Sequence, residues 1–292
     1  MKILVLCSGG DAPGMNKFVW NLYKKFKKET FYAYSGFSGL IKGQIFPLRN
    51  IVERKSKNCA GTVIKSSRCP EFKEEKFFKL GLANAKKFDV VVILGGNGSE
   101  KGAKALFENG VNTIFVPATI DNDVEESSYS IGFDTAVKEG IYAIKNTMPS
   151  IYSMNNSCLF EVMGRKHDAI CQEVAKAVQA DYVICNKESL DYEKIKDVIL
   201  KKLVRSDSAC VVVRENIVEV EKIAEKLNLM LGADIVKTQV VGRTQRGGEP
   251  TARELKLAKC FAKETVRLIK TKVFGVRILM NDKDETIVKE FI

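Results

Sequence analysis

The feature that most constrains this chain is a series of short, continuous apolar runs separated by longer amphipathic stretches. The runs are Ile3–Cys7, Val90–Leu94, Thr113–Val116, Cys158–Val162, Tyr182–Cys185, Cys210–Val213 and Val273–Leu279. They are continuous rather than alternating, so each predicts a strand covered on both faces, as in parallel sheets flanked by helices. Between them, Asp191–Leu203 and Val218–Leu231 carry helical periodicity. Strand–helix alternation of this kind predicts an α/β fold with mostly parallel sheets. In such folds ligands bind beyond the carboxyl ends of strands, in the loops that lead into helices.

At 292 residues the chain can form one large or two ordinary domains. Its hydrophobic and charged fractions, 45% and 28%, exclude disordered and collagen-like classes. No apolar run approaches the roughly 20 residues of a membrane-spanning helix. The first run is ended by Ser8-Gly9-Gly10-Asp11 too abruptly for a signal peptide, so a cytoplasmic protein without membrane contact is expected. Eight scattered cysteines without a C-x-x-C pair argue against a disulfide framework or structural zinc. A histidine-rich metal cluster is excluded, and a Ser-His-Asp triad would have to use the single His167. The net charge of +11 is mostly lysine, spread along segments such as Leu22–Lys28. That spread fits solvated helix faces better than a nucleic-acid surface, which gathers basic residues with aromatics. It also suits an anionic small-molecule substrate, which positive potential steers inward.

Several loops that follow strands carry chemistry. Ser8-Gly9-Gly10-Asp11-Ala12-Pro13-Gly14-Met15-Asn16 leads into a helix, and its glycines allow backbone amides to approach a phosphate. It is neither a Walker A loop nor a G-x-G-x-x-G, and a plain tight turn is the other reading. A second glycine loop, Gly95-Gly96-Asn97-Gly98-Ser99, suggests a polyphosphate held from two sides. Thr119-Ile120-Asp121-Asn122-Asp123 places two carboxylates two residues apart, suited to one general base and one group for metal or orientation, or to a solvated Asx turn. Arg68 lies in a proline-restricted loop, and Arg243 and Arg246 flank Gly242 and Gly247-Gly248. The arginine fork suits phosphate oxygens, with a surface ion pair as the alternative. Together these loops describe phosphoryl transfer from a nucleotide to a phosphorylated acceptor.

At these residues the chain resembles the phosphofructokinase family. Ser8–Asn16, Arg68-Cys69-Pro70-Glu71-Phe72, Thr119–Asp123, Ile131-Gly132-Phe133, Glu161-Val162-Met163-Gly164-Arg165 and Gln245-Arg246-Gly247-Gly248 stand in family order at near-family spacing. The resemblance implies a bilobed fold of two mostly parallel three-layer α/β sandwiches. Residues 1–130 with 250–292 would form the larger, ATP-binding lobe, and 131–249 the smaller, sugar-phosphate lobe. It also implies a homotetramer, a slightly trimmed C-terminal tail, and transfer of the γ-phosphoryl group of ATP to the 1-hydroxyl of fructose 6-phosphate.

By the same resemblance Asp121 is the catalytic base, with Thr119 and Asp123 in its pocket, and Arg68 and Gly10 stabilise the transferring phosphoryl group. Gly96, Gly98 and Ser99 would cradle ATP, with Cys69 beside them. Met163, Gly164, Arg165, Glu215 and Arg246 would hold fructose 6-phosphate. Gly98 and Ala118 stand where diphosphate-dependent relatives usually carry Asp and Lys, which leaves room for ATP. Asn97 stands at the family's Mg²⁺-associated Asp; an amide oxygen can coordinate a hard cation but adds no charge. Asn156 falls where the family supplies a cross-subunit arginine, Lys237 replaces another arginine, and Arg243 replaces a histidine. These departures keep a second expectation open, a catalytically reduced relative acting as a binding or regulatory subunit. The family's effector-site positions fall on Trp20, Lys24, Asn50, Met148 and Ser206, of which Lys24 alone is cationic.

Overall fold

A computed structural model describes residues 1–51 and 56–291. Its strands are β1 (Ile3–Ser8), β2 (Thr30–Ala33), β3 (Ile45–Pro47), β4 (Ser66–Ser67), β5 (Val90–Gly95), β6 (Thr113–Pro117), β7 (Ser157–Val162), β8 (Tyr182–Ile184), β9 (Cys210–Arg214), β10 (Val236–Val240), β11 (Val276–Met280) and β12 (Thr286–Glu290). Its helices are α1 (Met15–Phe26), α2 (Phe37–Lys42), α3 (Glu75–Ala85), α4 (Asn97–Glu108), α5 (Phe133–Ser153), α6 (Ala169–Val178), α7 (Tyr192–Val204), α8 (Val220–Leu231), α9 (Thr244–Gly247) and α10 (Ala252–Thr271). The chain divides into two compact units, residues 1–135 with 246–292, and residues 136–245.

The first unit is built on the order β12-β11-β6-β5-β1-β2-β3, with β4 also paired to β1. All pairings are parallel except β2–β3 and β11–β12 at the two edges. The expected apolar runs form the centre: every residue of β1, β5 and β6 is buried, which is why they read as unbroken hydrophobic segments. Core side chains include Leu4, Leu6, Val91, Ile93, Phe115 and Leu279, with Phe37 of α2 stacked on Phe72 at 4.3 Å. The chain order reverses at β1, because β2 lies on one side of it and β5 on the other. Such a switch point opens a crevice beyond the strand ends, where ligands enter open α/β sheets.

The second unit is a four-stranded parallel sheet, β10-β7-β9-β8. Its core joins Leu159, Val211 and Val213 to Ile195 and Ile199 of α7 and Ile223 and Leu227 of α8. The expected helix starts hold to within a residue or two. Asp191 caps α7, its carboxylate accepting from the Lys194 amide at 3.1 Å, and α8 stops at left-handed Gly232. β11 starts at Val276 rather than Val273, since Lys272 and Gly275 take positive φ and turn the chain there. Among the described residues no helix is long and apolar enough to cross a membrane.

Candidate active site

Two helices open at the switch point. α1 and α4 follow β1 and β5, and neither has a side-chain N-cap, since Gly14 and Gly96 occupy the capping positions. No side-chain cap competes with an anion for their positive dipole ends, although the Met15 and Ser99 amides already donate to Ala12 and Gly96 carbonyls at 3.3 and 2.8 Å. The two loops are tied together by Ser99, whose hydroxyl donates to the Ser8 carbonyl at 3.2 Å. This closeness explains Gly95: a Cβ there would sit 2.3 Å from Ser99 Oγ and 2.5 Å from Ser8 O. Gly98 is the opposite case, exposed and with nothing within 4 Å of a Cβ position.

Arg68 and Arg246 bring cations to this cradle by different routes. β4 pairs with the carboxyl end of β1 through Ser67 and Ser8, so Arg68 is exposed one residue beyond that end, with half-buried Cys69 behind it. Arg246 arrives from the far end of the sequence. Its Nη1 donates to the Asp11 carbonyl at 2.8 Å and would stand 2.6 Å from a Cβ on Gly10. No spacing pattern connects residues that are 235 positions apart.

The loop after β6 supplies the carboxylates. The Asp121 amide donates to Thr119 Oγ1 at 3.2 Å, while Ser130 Oγ donates to the Thr119 carbonyl at 2.7 Å and to Asn122 Oδ1 at 3.1 Å. Asn122 takes a left-handed conformation that its short amide tolerates, and it closes the loop by donating to Ser128 O. Asp121 is thereby held buried rather than solvated, against the Asx-turn alternative. Asp123 reaches the second glycine loop. Asn97 Nδ2 donates to its carbonyl at 2.9 Å and to its carboxylate at 3.2 Å. Gly96 lies beside the same group, its Cβ position 3.8 Å from Asp123 Oδ1 and 3.5 Å from Thr119 Cβ.

In the second unit Met163, Gly164, Arg165 and Glu215 gather at the carboxyl ends of β7 and β9. Glu215 Oε1 accepts from the amides of Gly164 and Arg165 at 3.2 and 2.9 Å, and buried Gln245 accepts from the Met163 amide at 2.7 Å. Arg243 is exposed on the turn leaving β10. Asn156 and Lys237 are not part of this cluster. They lie at the amino ends of β7 and β10; at a strand rise of about 3.3 Å per residue, Lys237, level with Cys158, is roughly 17 Å and Asn156 roughly 23 Å from Met163. There Lys237 pairs with Asp234 at 2.8 Å. His167 sits exposed in the turn after β7, its amide donating to the Gly164 carbonyl at 2.8 Å.

Three residues not singled out from sequence shape these loops. Glu254 is fully buried; it accepts from the Gly132 amide at 2.8 Å, from Tyr129 Oη at 3.2 Å and from Thr135 Oγ1 at 3.3 Å. Burial pushes its carboxyl up to about 8 and drives the Tyr129 phenol upward as well. The T-x-x-E spacing from Thr251 was a usable signal, and Thr251 Oγ1 does accept from the Glu254 amide, but the carboxylate turns to Gly132. Arg277, buried in β11, pairs with Glu100 at 3.1 Å and with Glu126, linking α4 to the acidic loop. Arg214 donates to the carbonyls of Cys185 and Arg165.

The first unit therefore has the layout of a nucleotide phosphotransferase: two uncapped helix ends, two arginines and a buried carboxylate around one crevice. Residues 2–269 match the phosphofructokinase family profile, and the chain belongs to that family. It is 33% identical over 288 residues to the ATP-dependent 6-phosphofructokinase of Macrococcus caseolyticus, covering 97% of this chain and 87% of that one. The Lactococcus lactis enzyme of the same name is 32% identical, covering 97% and 85%. Among solved structures, Pichia pastoris phosphofructokinase in the T-state superposes with a TM-score of 0.86 at 23% identity over 99% of this chain, which spans 35% of the Pichia chain.

Proposed function

We propose that this protein is an ATP-dependent 6-phosphofructokinase, transferring the γ-phosphoryl group of ATP to the 1-hydroxyl of fructose 6-phosphate. The observation that carries the reading is Asp121, a buried carboxylate whose backbone amide is tied to Thr119 Oγ1 on the loop that borders both glycine-rich helix ends. A carboxylate so held suits a general base. Asp121 accepts the hydroxyl proton as the sugar oxygen attacks the γ-phosphorus and ADP leaves. The Gly10 amide and Arg68 meet the charge on the equatorial oxygens, each such preorganised donor being worth about 3 kcal/mol. Gly96, Gly98 and Ser99 receive the nucleotide phosphates on the α4 terminus, with Cys69 lining the nucleotide side. The open space at Gly98 favours ATP over diphosphate as donor.

Mg²⁺ fits the donors present. The Asp123 carboxylate and Thr119 Oγ1 are hard oxygen ligands, and Asn97, whose Nδ2 faces Asp123, would have to turn its amide oxygen to join them; Mg²⁺ needs few such ligands when substrate phosphates and water complete its shell. Bound there, it would offset phosphate charge. Met163, Gly164, Arg165 and Glu215 take the sugar, and Arg246 and Arg243 its phosphate. Asn156 and Lys237, at the opposite strand ends from Glu215, serve a neighbouring subunit's pocket in a homotetramer. The protein acts in the cytoplasm.

The test is ³¹P NMR of the purified protein with Mg²⁺, fructose 6-phosphate and either ATP or diphosphate. The reading expects fructose 1,6-bisphosphate and ADP with ATP, and no product with diphosphate. Turnover with diphosphate alone would overturn the donor assignment, and turnover with neither donor would overturn the kinase reading.

A further inference from the structure

We propose that Cys171 and Cys185 form a redox pair that closes to a reversible disulfide and thereby resets the Gly164–Arg165 loop. The sulfurs lie 3.0 Å apart, Cys171 on α6 and Cys185 one residue past β8. A disulfide needs about 2.05 Å, so closure asks for a movement of about 1 Å between elements that already pack together. Backbone anchors fix the receiving side, because the Cys185 amide donates to Ser189 Oγ at 3.0 Å.

The pair is also reachable. Cys185 is 8% exposed, at the edge of an open cavity of about 450 Å³ that it lines with Gln172, Lys176, Gln179 and Val183, whereas Cys171 is fully buried. The two thiols are unlike in acidity. The hydrogen bond with Cys171 and the nearby Arg214 guanidinium draw the Cys185 thiol down, while Cys171 holds its proton. Burial pushes the thiols of Cys7, Cys158 and Cys210 up to about 12, which makes them poor nucleophiles.

The chemistry balances with a peroxide as oxidant. Cys185 gives up its proton, and the thiolate attacks one peroxide oxygen, breaking the O–O bond to give a sulfenic acid and hydroxide, which takes up the released proton as the first water. Cys171 sulfur then attacks the sulfenic sulfur; hydroxide leaves and takes up the Cys171 proton as a second water. Two thiols and one hydrogen peroxide become one disulfide and two waters.

The link to the sugar loop is direct. Arg214 Nε donates to the Cys185 carbonyl at 2.6 Å, and the same guanidinium donates to the Arg165 carbonyl. Moving Cys185 toward Cys171 shifts the group that positions Arg165. This consequence for sugar-phosphate affinity rests on the function proposed above; the bond itself does not.

The experiment treats the reduced full-length protein with a few equivalents of hydrogen peroxide, then alkylates it and maps peptides by mass spectrometry. The expected result is a Cys171–Cys185 cross-linked peptide pair two hydrogens lighter than the thiols, abolished by dithiothreitol. In Cys171→Ser, dimedone should trap a sulfenic acid on Cys185, and in Cys185→Ser Cys171 should stay unmodified. Oxidised protein should show KM for fructose 6-phosphate raised severalfold with kcat little changed, an effect absent in Cys171→Ser. Full modification of exposed Cys59 without the 171–185 cross-link would overturn the pair. A quantitative cross-link with unchanged KM would overturn the coupling to Arg165, and the mass readout stands whether or not the protein turns over.

Discussion

Replacing Glu254 with Gln tests whether a buried, proton-holding carboxyl organises the entrance to α5. Glu254 is fully enclosed, faced by Tyr129 and Thr135, with Asp134 nearby and Arg253 stacked at 4.8 Å on the Tyr129 ring. Its carboxyl rises from 4.5 to about 8, chiefly by desolvation and against the lowering effect of the Gly132 and Thr135 amides. A folded-state value above the unfolded one means that the contribution is complete below pH 4.5 and is lost as pH climbs toward 8. At about 1.4 kcal/mol per pH unit, the wild type loses on the order of 3 kcal/mol between pH 5 and 7 through this group alone, with a ceiling of about 5 kcal/mol above pH 8. Gln mimics the protonated acid, can donate to the Tyr129 and Thr135 hydroxyls, and does not ionise. The assay is urea unfolding followed by the fluorescence of Trp20, the single tryptophan, on α1, which packs against the helix carrying Glu254. The difference between wild type and Glu254→Gln should therefore shift steadily toward the variant as pH rises. Parallel stability profiles for the two proteins from pH 5 to 8 would refute the reasoning.

Arg277→Met should cost about 3 kcal/mol of unfolding free energy, because Glu100 loses the partner that offsets its burial. That is the low end for a broken buried pair, since Glu126 keeps water and Lys289; Glu100→Gln on the same background should recover part of it in urea melts. Asn97→Asp sets a second carboxylate against Asp123, replacing a hydrogen bond of 3.2 Å with a charge pair that a divalent cation relieves. Titrations of the initial rate should show half-saturation at lower Mg²⁺ than for wild type; an unchanged titration would place the cation elsewhere. With Trp20, Asn50, Met148 and Ser206 uncharged at the effector positions, fructose 6-phosphate kinetics should be hyperbolic and insensitive to phosphoenolpyruvate. Sigmoidal kinetics relieved by ADP would contradict this.

Much of the fold was legible because its central strands are covered on both faces: β1, β5 and β6 are buried throughout, and β7 and β9 are apolar apart from Ser157, Glu161 and Arg214. The edges were not. β10, Val236-Lys237-Thr238-Gln239-Val240, reads as polar because it borders the small sheet; β2, β3 and β12 are short or half-exposed, and β4 is two residues long. The glycine loops and the Asp121 loop were legible as local patterns, since each follows a strand directly. What periodicity could not supply is convergence. Arg246 over Gly10, Glu254 beneath Gly132 and Arg277 between Glu100 and Glu126 each join residues more than a hundred positions apart. The separation of Asn156 and Lys237 from Glu215 likewise follows from parallel strand direction, which a list of motifs does not encode.

The most direct test of the central claim is single-turnover phosphoryl transfer by Asp121→Ser, measured beside equilibrium binding of fructose 6-phosphate. A positioned general base is worth about 10²–10⁴ in rate, so transfer should slow by that factor while the dissociation constant stays within twofold of wild type. A fall of less than tenfold in the transfer step, with binding intact, would contradict the assignment of Asp121 as the base.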